Sequence, residues 1–353
     1  MLEAARKLGN NLYERVPKLR YLLNSMFFFY CFFKPPQFRQ SDMLKFNLYV
    51  ETTNICNYKC RMCAAQTGLK RATGFMDFEL YKKIIDEAAD MGISRIVPQI
   101  WGEPLLHPRF VEMVQYAKGR GMYVEFTTNG LLMDEKMSRK LLGTGVDIIV
   151  VSFHGFTPEG YKRIHGIDGF DRVVKNIKAL CKLKKDGGFA APKVTIQSII
   201  TEDNFKDVHK VFSIFKDVAD GISVFNCGFH PDDNTNDLRI VKFDCRRSNP
   251  CVMLFTTMAV SWDGRVGICC RDKDFRTELG NVQDGLLNLY NSEKMRSYRK
   301  VHLLGMFEKM PVCAKCVDYS VFEDSLPPAL KRRIIDGTLT EKDVEFLNSK
   351  KRC

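Results

Sequence analysis

The chain of 353 residues carries 54 Lys and Arg against 42 Asp and Glu, a net charge of +12. Its hydrophobic share of 45% and charged share of 27% are ordinary for a globular protein that buries one large core with appendages. The basic excess lacks the interleaved aromatics of a nucleic-acid module, which sets that class aside. Thirteen clustered cysteines without a secretory signal point to reduced, metal-holding thiols in a cytosolic compartment, not to disulfides.

Residues 1–45 form a basic N-terminal extension; residues 1–46 hold eight basic and three acidic side chains. Leu8, Leu12, Val16, Leu19, Leu22 and Leu23 recur at steps of three and four, an amphipathic helical pattern kinked near Pro17. The run Met26–Phe33 that follows is too short for a bilayer, which takes about 20 residues. Peripheral membrane contact is one reading of this basic, aromatic segment. A helix packing over the core, or making a dimer contact, is the preferred one.

From Phe46 the pattern changes. Strand candidates at 46–53, 94–100, 122–128, 147–153, 193–199 and 221–227 alternate with helical stretches at 77–91, 108–120, 134–143, 171–185 and 204–217. Such alternation implies an α/β domain over residues 46–235, a parallel sheet with covering helices. After the first strand comes Cys56-Asn57-Tyr58-Lys59-Cys60-Arg61-Met62-Cys63, a C-x3-C-x2-C loop. Three thiolates on one tight loop can hold three irons of a [4Fe–4S] cluster and leave the fourth open to a small molecule. A structural zinc site needs a fourth ligand, and the next His and Cys are His107 and Cys181. The spacing favours the open iron–sulfur site, with zinc and a chance group of buried cysteines behind it.

This loop resembles the signature of the radical S-adenosylmethionine (radical SAM) superfamily. The resemblance implies a partial (β/α)6 barrel, a cluster on Cys56, Cys60 and Cys63, and SAM bound to the open iron. Tyr58 and Met62 become cofactor contacts within the loop, Met62 standing where relatives often carry an aromatic residue against the adenine. Trp101-Gly102-Glu103-Pro104, past the second strand, resembles the family's GGEP motif, which holds the SAM ammonium; Trp101 replaces its first Gly. A plain β-turn is the alternative. The third strand ends in Thr127-Thr128-Asn129-Gly130 and the fourth in Val151-Ser152-Phe153-His154-Gly155. There the resemblance makes Asn129 and Ser152 SAM contacts, while His154 reads as a structural histidine ahead of a substrate contact. Gln197 on the fifth strand is a further SAM-binding candidate. Cys227, ending the sixth, reads first as a buried small hydrophobe and second as a hydrogen-atom donor.

Residues 245–318 carry a second set of cysteines. Cys251 precedes an apolar run, Asp263-Gly264 signals a hairpin, and Cys269-Cys270 follows it. Leu279-Gly280-Asn281 precedes a helix through 286–296, and Cys313-Ala314-Lys315-Cys316 closes the region. Four such cysteines can complete a second [4Fe–4S] cluster or a zinc site. The order resembles the SPASM/twitch region of radical SAM enzymes, which makes Cys251, Cys269, Cys313 and Cys316 the ligands of one auxiliary cluster. Residues 319–353 form a basic tail with Lys331-Arg332-Arg333 and Lys350-Lys351-Arg352, runs that usually lie in solvent. They could also attract an anionic membrane surface or a phosphorylated substrate.

The expected activity is reductive cleavage of SAM and hydrogen abstraction from an unactivated C–H bond. The electron comes from a partner such as flavodoxin or ferredoxin. Two outcomes on a carbohydrate- or aminocyclitol-like small molecule compete, the first being oxidation with the auxiliary cluster in electron transfer. Epimerisation with Cys227 or Cys270 returning the hydrogen stands beside it. A peptide-modifying maturase is the alternative, and a non-enzymatic iron–sulfur or zinc protein is the rival from another class.

Overall fold

The computed structural model describes residues 46–227, 250–314, 316 and 328–349, with Met26 and Leu238 besides. The rest of the N-terminal amphipathic and aromatic extension and the Lys350-Lys351-Arg352 cluster lie outside them. Among the described residues no helix is long and apolar enough to cross a membrane.

Six strands alternate with helices where the hydrophobic pattern places them. They are β1 (Asn47–Val50), β2 (Arg95–Val97), β3 (Tyr123–Thr128), β4 (Ile148–Ser152), β5 (Lys193–Ile200) and β6 (Gly221–Asn226). All pair in parallel with their sequence neighbours. Alternation sorts their side chains. Leu48, Val50, Ile96, Val124, Phe126, Ile149, Val151, Val194 and Ile196 are buried towards the helices. The intervening Tyr49, Glu125, Thr127, Val150, Ser152, Thr195 and Gln197 are half-buried and face the concave side, the lumen of an open barrel.

The covering helices are α1 (Phe78–Asp90), α2 (Phe110–Gly119), α3 (Glu135–Leu142), α4 (Pro158–His165) and α5 (Phe170–Asp186). Asp77 caps α1 by accepting the Glu79 and Leu80 amides, and Tyr81, Ile84, Ile85 and Ala88 form its buried stripe. Helix α4 was not among the expected elements, although Thr157 caps it, Pro158 opens it and Gly166 ends it in the left-handed region. The expected helix over 204–217 shortens to a turn at Phe205–Asp207 and α6 (Lys210–Phe215). Asn204 causes this: its side chain accepts the Thr201 amide and donates to the carbonyls of His154 and Ile199.

The second cysteine region adds to the same sheet. A short helix α7 (Met253–Thr256) leads into β7 (Thr257–Val260), which pairs in parallel with β1; β8 (Arg265–Gly267) and β9 (Glu278–Asn281) return antiparallel. The strand order is β6-β5-β4-β3-β2-β1-β7-β8-β9. Helices α8 (Leu286–Tyr290), α9 (Glu293–Leu303) and α10 (Pro311–Ala314) follow. In the tail α11 (Pro328–Ile335) and α12 (Glu341–Ser349) are joined by an ion pair between Arg333 and Asp343.

Candidate active site

The thiol loop rises from the end of β1 and rests on the C-terminus of α4. The amides of Lys59 and Arg61 donate to the carbonyls of His165 (3.1 Å) and Ile164 (2.9 Å), two of the acceptors a helix end leaves free. Gly166 has φ +74, and a Cβ there would lie 3.0 Å from the Lys59 carbonyl oxygen. Glycine therefore serves both the turn and the close approach. The Cys63 amide donates to the Cys60 carbonyl (3.0 Å), closing the loop. Beneath it, the hydroxyls of Tyr58 and Tyr161 lie 2.8 Å apart and His165 Nδ1 is 3.3 Å from Cys60 Sγ. Tyr58 is thus part of the buried floor of the loop, and Met62 is half-buried on it.

None of the three cysteines is in a disulfide. Loss of hydration pushes the Cys56 thiol up to about 11, with Glu103 and Cys63 adding to it and the Tyr58 amide opposing. Burial pushes Cys60 higher still, followed by the charges of Cys63 and Cys56. Thiols raised in this way give up their protons only to a strongly cationic partner, which the irons of an iron–sulfur cluster would provide. Among the described residues no three His, Cys, Asp or Glu converge on one point as a single ion requires.

The segment after β2 crosses directly over the approach to this loop. Gly102 has φ +89, and a Cβ there would stand 2.6 Å from the Thr53 carbonyl oxygen and 2.8 Å from that of Ile55. The Glu103 amide donates to the Ile55 carbonyl (2.9 Å), and Pro104 opens a short 3-10 turn. The Glu103 carboxylate is buried, yet it accepts from Thr128 Oγ1 (2.7 Å), the Asn129 amide (2.7 Å) and the Leu105 amide (3.1 Å). Burial wins over these donors and pushes the carboxyl up to about 7. Asn129 Nδ2 then donates to Asn57 Oδ1 (2.7 Å) in the thiol loop. Glu103, Asn129 and Asn57 so tie the ends of β1, β2 and β3 together.

Further across the sheet, Ser152, Gln197 and Ser223 are neighbours in register on β4, β5 and β6 and form one polar row on the lumen side. His154 does not join it. Its Nδ1 accepts the Ile199 amide, its ring stacks on His165 at 5.2 Å, and burial pushes it down to about 4. It is a structural histidine. Cys227 is buried at the end of β6, its amide donating to the Ile200 carbonyl.

The second set lies on the elements around β7 and β8, the strands added next to β1. The Cys251 amide donates to His302 Nδ1 (3.2 Å), and the Cys316 amide to the Cys313 carbonyl (3.1 Å), the turn that a C-x2-C pair needs. Cys269 is held well above its ordinary value by its hydrogen bond with Cys270 and then by burial. Tyr49, in the lumen, is raised by burial first and then by Cys270 and Glu125, with Arg95 opposing. Tyr49 is thus within electrostatic reach of both the Cys269–Cys270 corner and the ion pair of Arg95 with Glu125. Past that corner the loop is clamped to the segment after Cys63. Lys273 Nζ donates to the Ala64 carbonyl (3.0 Å), Arg71 Nε to the Lys273 carbonyl (2.5 Å), and the Lys70 amide to Asp274 (2.7 Å).

Sequence reasoning missed Tyr161 and His165 because it missed α4; Thr157-Pro158 and His165-Gly166 were its start and stop signals. Asn57 and Thr128 stand inside quoted stretches but had no role assigned, Tyr49 had no motif at all, and the three acquire partners only through the sheet.

A parallel open barrel with a thiol loop after its first strand defines a cofactor-dependent α/β protein. Residues 50–215 match the Radical SAM superfamily, and residues 251–317 match SPASM, an iron–sulfur cluster-binding domain. The chain therefore carries a radical SAM domain followed by a C-terminal SPASM domain, and these domains imply SAM and [4Fe–4S] clusters as cofactors.

Among curated relatives, it is 26% identical to the tungsten-containing aldehyde ferredoxin oxidoreductase cofactor-modifying protein of Pyrococcus furiosus over 76% of this chain and 86% of that one. It is 30% identical to the PqqA peptide cyclase of Granulibacter bethesdensis over 46% of this chain, spanning 42% of the cyclase. Among solved structures, BtrN in complex with AdoMet and 2-DOIA aligns with TM-score 0.53 at 20% identity, covering 80% of this chain and 97% of BtrN. Streptococcus suis SuiB bound to precursor peptide SuiA aligns with TM-score 0.61 at 14% identity, covering 79% and 73%. These structural likenesses concern the fold alone.

Proposed function

We propose that Cys56, Cys60 and Cys63 hold the SAM-binding cluster and that Cys251, Cys269, Cys313 and Cys316 hold one auxiliary cluster. The reaction proposed is oxidation of a hydroxylated, carbohydrate- or aminocyclitol-like small molecule bound in the barrel lumen. When bound, the two clusters supply the electron that splits SAM into methionine and a 5′-deoxyadenosyl radical, and an acceptor for an electron from substrate.

The observation that carries this reading is the place of Tyr49. It is the half-buried residue between Leu48 and Val50 on β1, and its phenol is within electrostatic reach of Arg95 and Glu125 as well as of Cys270 and Cys269. A substrate in that lumen would have the thiol loop at the strand ends and the auxiliary corner at the side. Thr127, Thr195, Arg95 and Glu125 offer hydroxyl, cationic and anionic partners to a polyhydroxylated molecule. Ser152, Gln197 and Asn129, nearer the strand ends, would orient SAM with Met62 and Gly102-Glu103-Pro104, whereas Tyr58, expected as a contact, is buried beneath the loop against Tyr161. Electrons would come from a flavodoxin- or ferredoxin-like donor.

The likeness to a PqqA peptide cyclase supports a second reading, a peptide substrate. Anaerobic loading with iron and sulfide, followed by reductant and SAM, tests both. The expected result is about eight irons per chain and 5′-deoxyadenosine. Deuterium should pass into 5′-deoxyadenosine from a deuterated cyclitol or sugar, whose product is lighter by a hydrogen pair. A product of unchanged mass with solvent deuterium, abolished in Cys270→Ala or Cys227→Ala, would replace oxidation by epimerisation. Transfer from peptides alone would replace the small molecule. About four irons with SAM cleavage would remove the auxiliary cluster.

A further inference from the structure

We propose that His165 is a positioning residue that donates a hydrogen bond from Nδ1 to the Cys60 thiolate and raises the reduction potential of the SAM-binding cluster. The inference rests on Cys60 being a ligand of that cluster, as proposed above.

The tautomer follows from the partners. His165 Nε2 faces the backbone N–H of His154 at 3.2 Å. An amide can only donate, so Nε2 must offer its lone pair, and the single proton of the neutral ring sits on Nδ1. Nδ1 lies 3.3 Å from Cys60 Sγ. The donor on Nε2 is itself fixed, since the His154 ring accepts the Ile199 amide and its carbonyl accepts from Asn204.

The ring has little freedom to turn away. It stacks on His154, contacts Tyr161 at 4.1 Å between centroids and meets Tyr58 edge-on at 5.3 Å. His165 is 1% exposed, so its Nδ1–H has no bulk water to turn to instead of the sulfur. Its own carbonyl accepts the Lys59 amide, so one residue both seats the loop and touches its middle cysteine.

A hydrogen bond withdraws charge from the thiolate. The reduced cluster carries one more negative charge than the oxidised one, so the bond favours reduction. Removing the donor should lower the potential of this cluster and leave the auxiliary one unmoved.

The test is an EPR-monitored redox titration of the full-length, anaerobically loaded protein, following the signal that changes on adding SAM. His165→Phe is expected to shift that signal to lower potential at native iron content. His165→Asn, whose amide can replace Nδ1–H, is expected to restore most of the difference. An unmoved potential in His165→Phe would overturn the proposal. If His165→Phe does not load iron, pulsed EPR on the otherwise native protein labelled with nitrogen-15 histidine decides. A nitrogen coupling on the SAM-responsive signal supports the bond, and its absence overturns it. Retention of that signal in Cys60→Ser would instead refute the ligand assignment, a result distinct from an unmoved potential.

Discussion

Replacing Arg71 with Met breaks an ion pair that has almost no access to water. Arg71 and Glu51 have side chains 3% and 0% exposed, and both guanidinium NH2 groups donate to the carboxylate at 2.6 Å. Glu51 also accepts the Trp262 amide, though at 3.4 Å. Arg71→Met leaves the carboxylate buried without its cation, which costs about 3–5 kcal/mol. The Lys273 carbonyl loses its donor as well, adding roughly 1 kcal/mol. Set against a domain stability of about 5–15 kcal/mol, the loss is large. Burial already holds the Glu51 carboxyl above its ordinary 4.5 despite Arg71. A carboxyl raised in the folded state makes its full contribution below its unfolded pKa and loses it as pH rises through the folded value. Without Arg71 the folded value rises further, so the deficit of the variant should grow as pH increases from about 4.5. Urea unfolding of the loaded protein, followed by tryptophan fluorescence at acidic and neutral pH, measures it. Trp262 reports on this seam through its indole bond to the Ala72 carbonyl. The double variant Glu51→Leu with Arg71→Met should recover most of the loss. A cost under about 1 kcal/mol, the range of an exposed pair, would refute the reasoning.

Gly102→Ala must push backbone atoms of Thr53 and Ile55 away from 2.6 and 2.8 Å. It should abolish SAM binding and reduce iron at the thiol loop, as equilibrium dialysis and iron analysis would show. Glu103, held near 7 by burial, must lose its proton to receive an ammonium group. SAM affinity should fall up to about tenfold per pH unit below roughly pH 7, and Glu103→Gln should flatten that dependence in calorimetry. Lys273→Met strips the Ala64 carbonyl of a buried donor, at about 1–3 kcal/mol. Hydrogen exchange at residues 64–71 should accelerate in it, and unchanged exchange would count against the clamp.

The parallel barrel was legible because its signal is local: short apolar runs and helical stretches alternate, and every expected strand is present. The cysteine spacing was equally local, as was Gly102-Glu103-Pro104. Function-bearing contacts across the sheet were not. Glu103 meets Thr128 and Asn129 only because β2 and β3 are neighbours in register. The role expected for Glu103 was to face SAM, yet its carboxylate is also the bracket that holds the end of β3. The helix ending in His165 was announced by ordinary capping signals. Its contact with Cys60 spans 105 residues, and nothing in the sequence pairs those two positions. The junction of β7 with β1 was hidden for the same reason, since a parallel neighbour leaves no turn to read.

That junction explains how one chain keeps two cysteine sets apart and in fixed relation. Cys56 follows the C-terminal end of β1, whereas Cys251 precedes β7 and Cys269 follows the returning β8. Because β7 runs parallel to β1, with Tyr49 in register with Ala259 and Ala259 with Gly267, the second set falls towards the other end of the same pair of strands. The sheet therefore sets their separation, and side-chain flexibility has little part in it. The gap is spanned by the loop after Cys270, whose Lys273 reaches the carbonyl next to Cys63 and whose backbone is held by Arg71. Movement of either cysteine set would have to break the Arg71–Glu51 pair or the β1–β7 ladder. A sheet that holds both sets rigidly would suit the electron transfer proposed above better than a hinged appendage would.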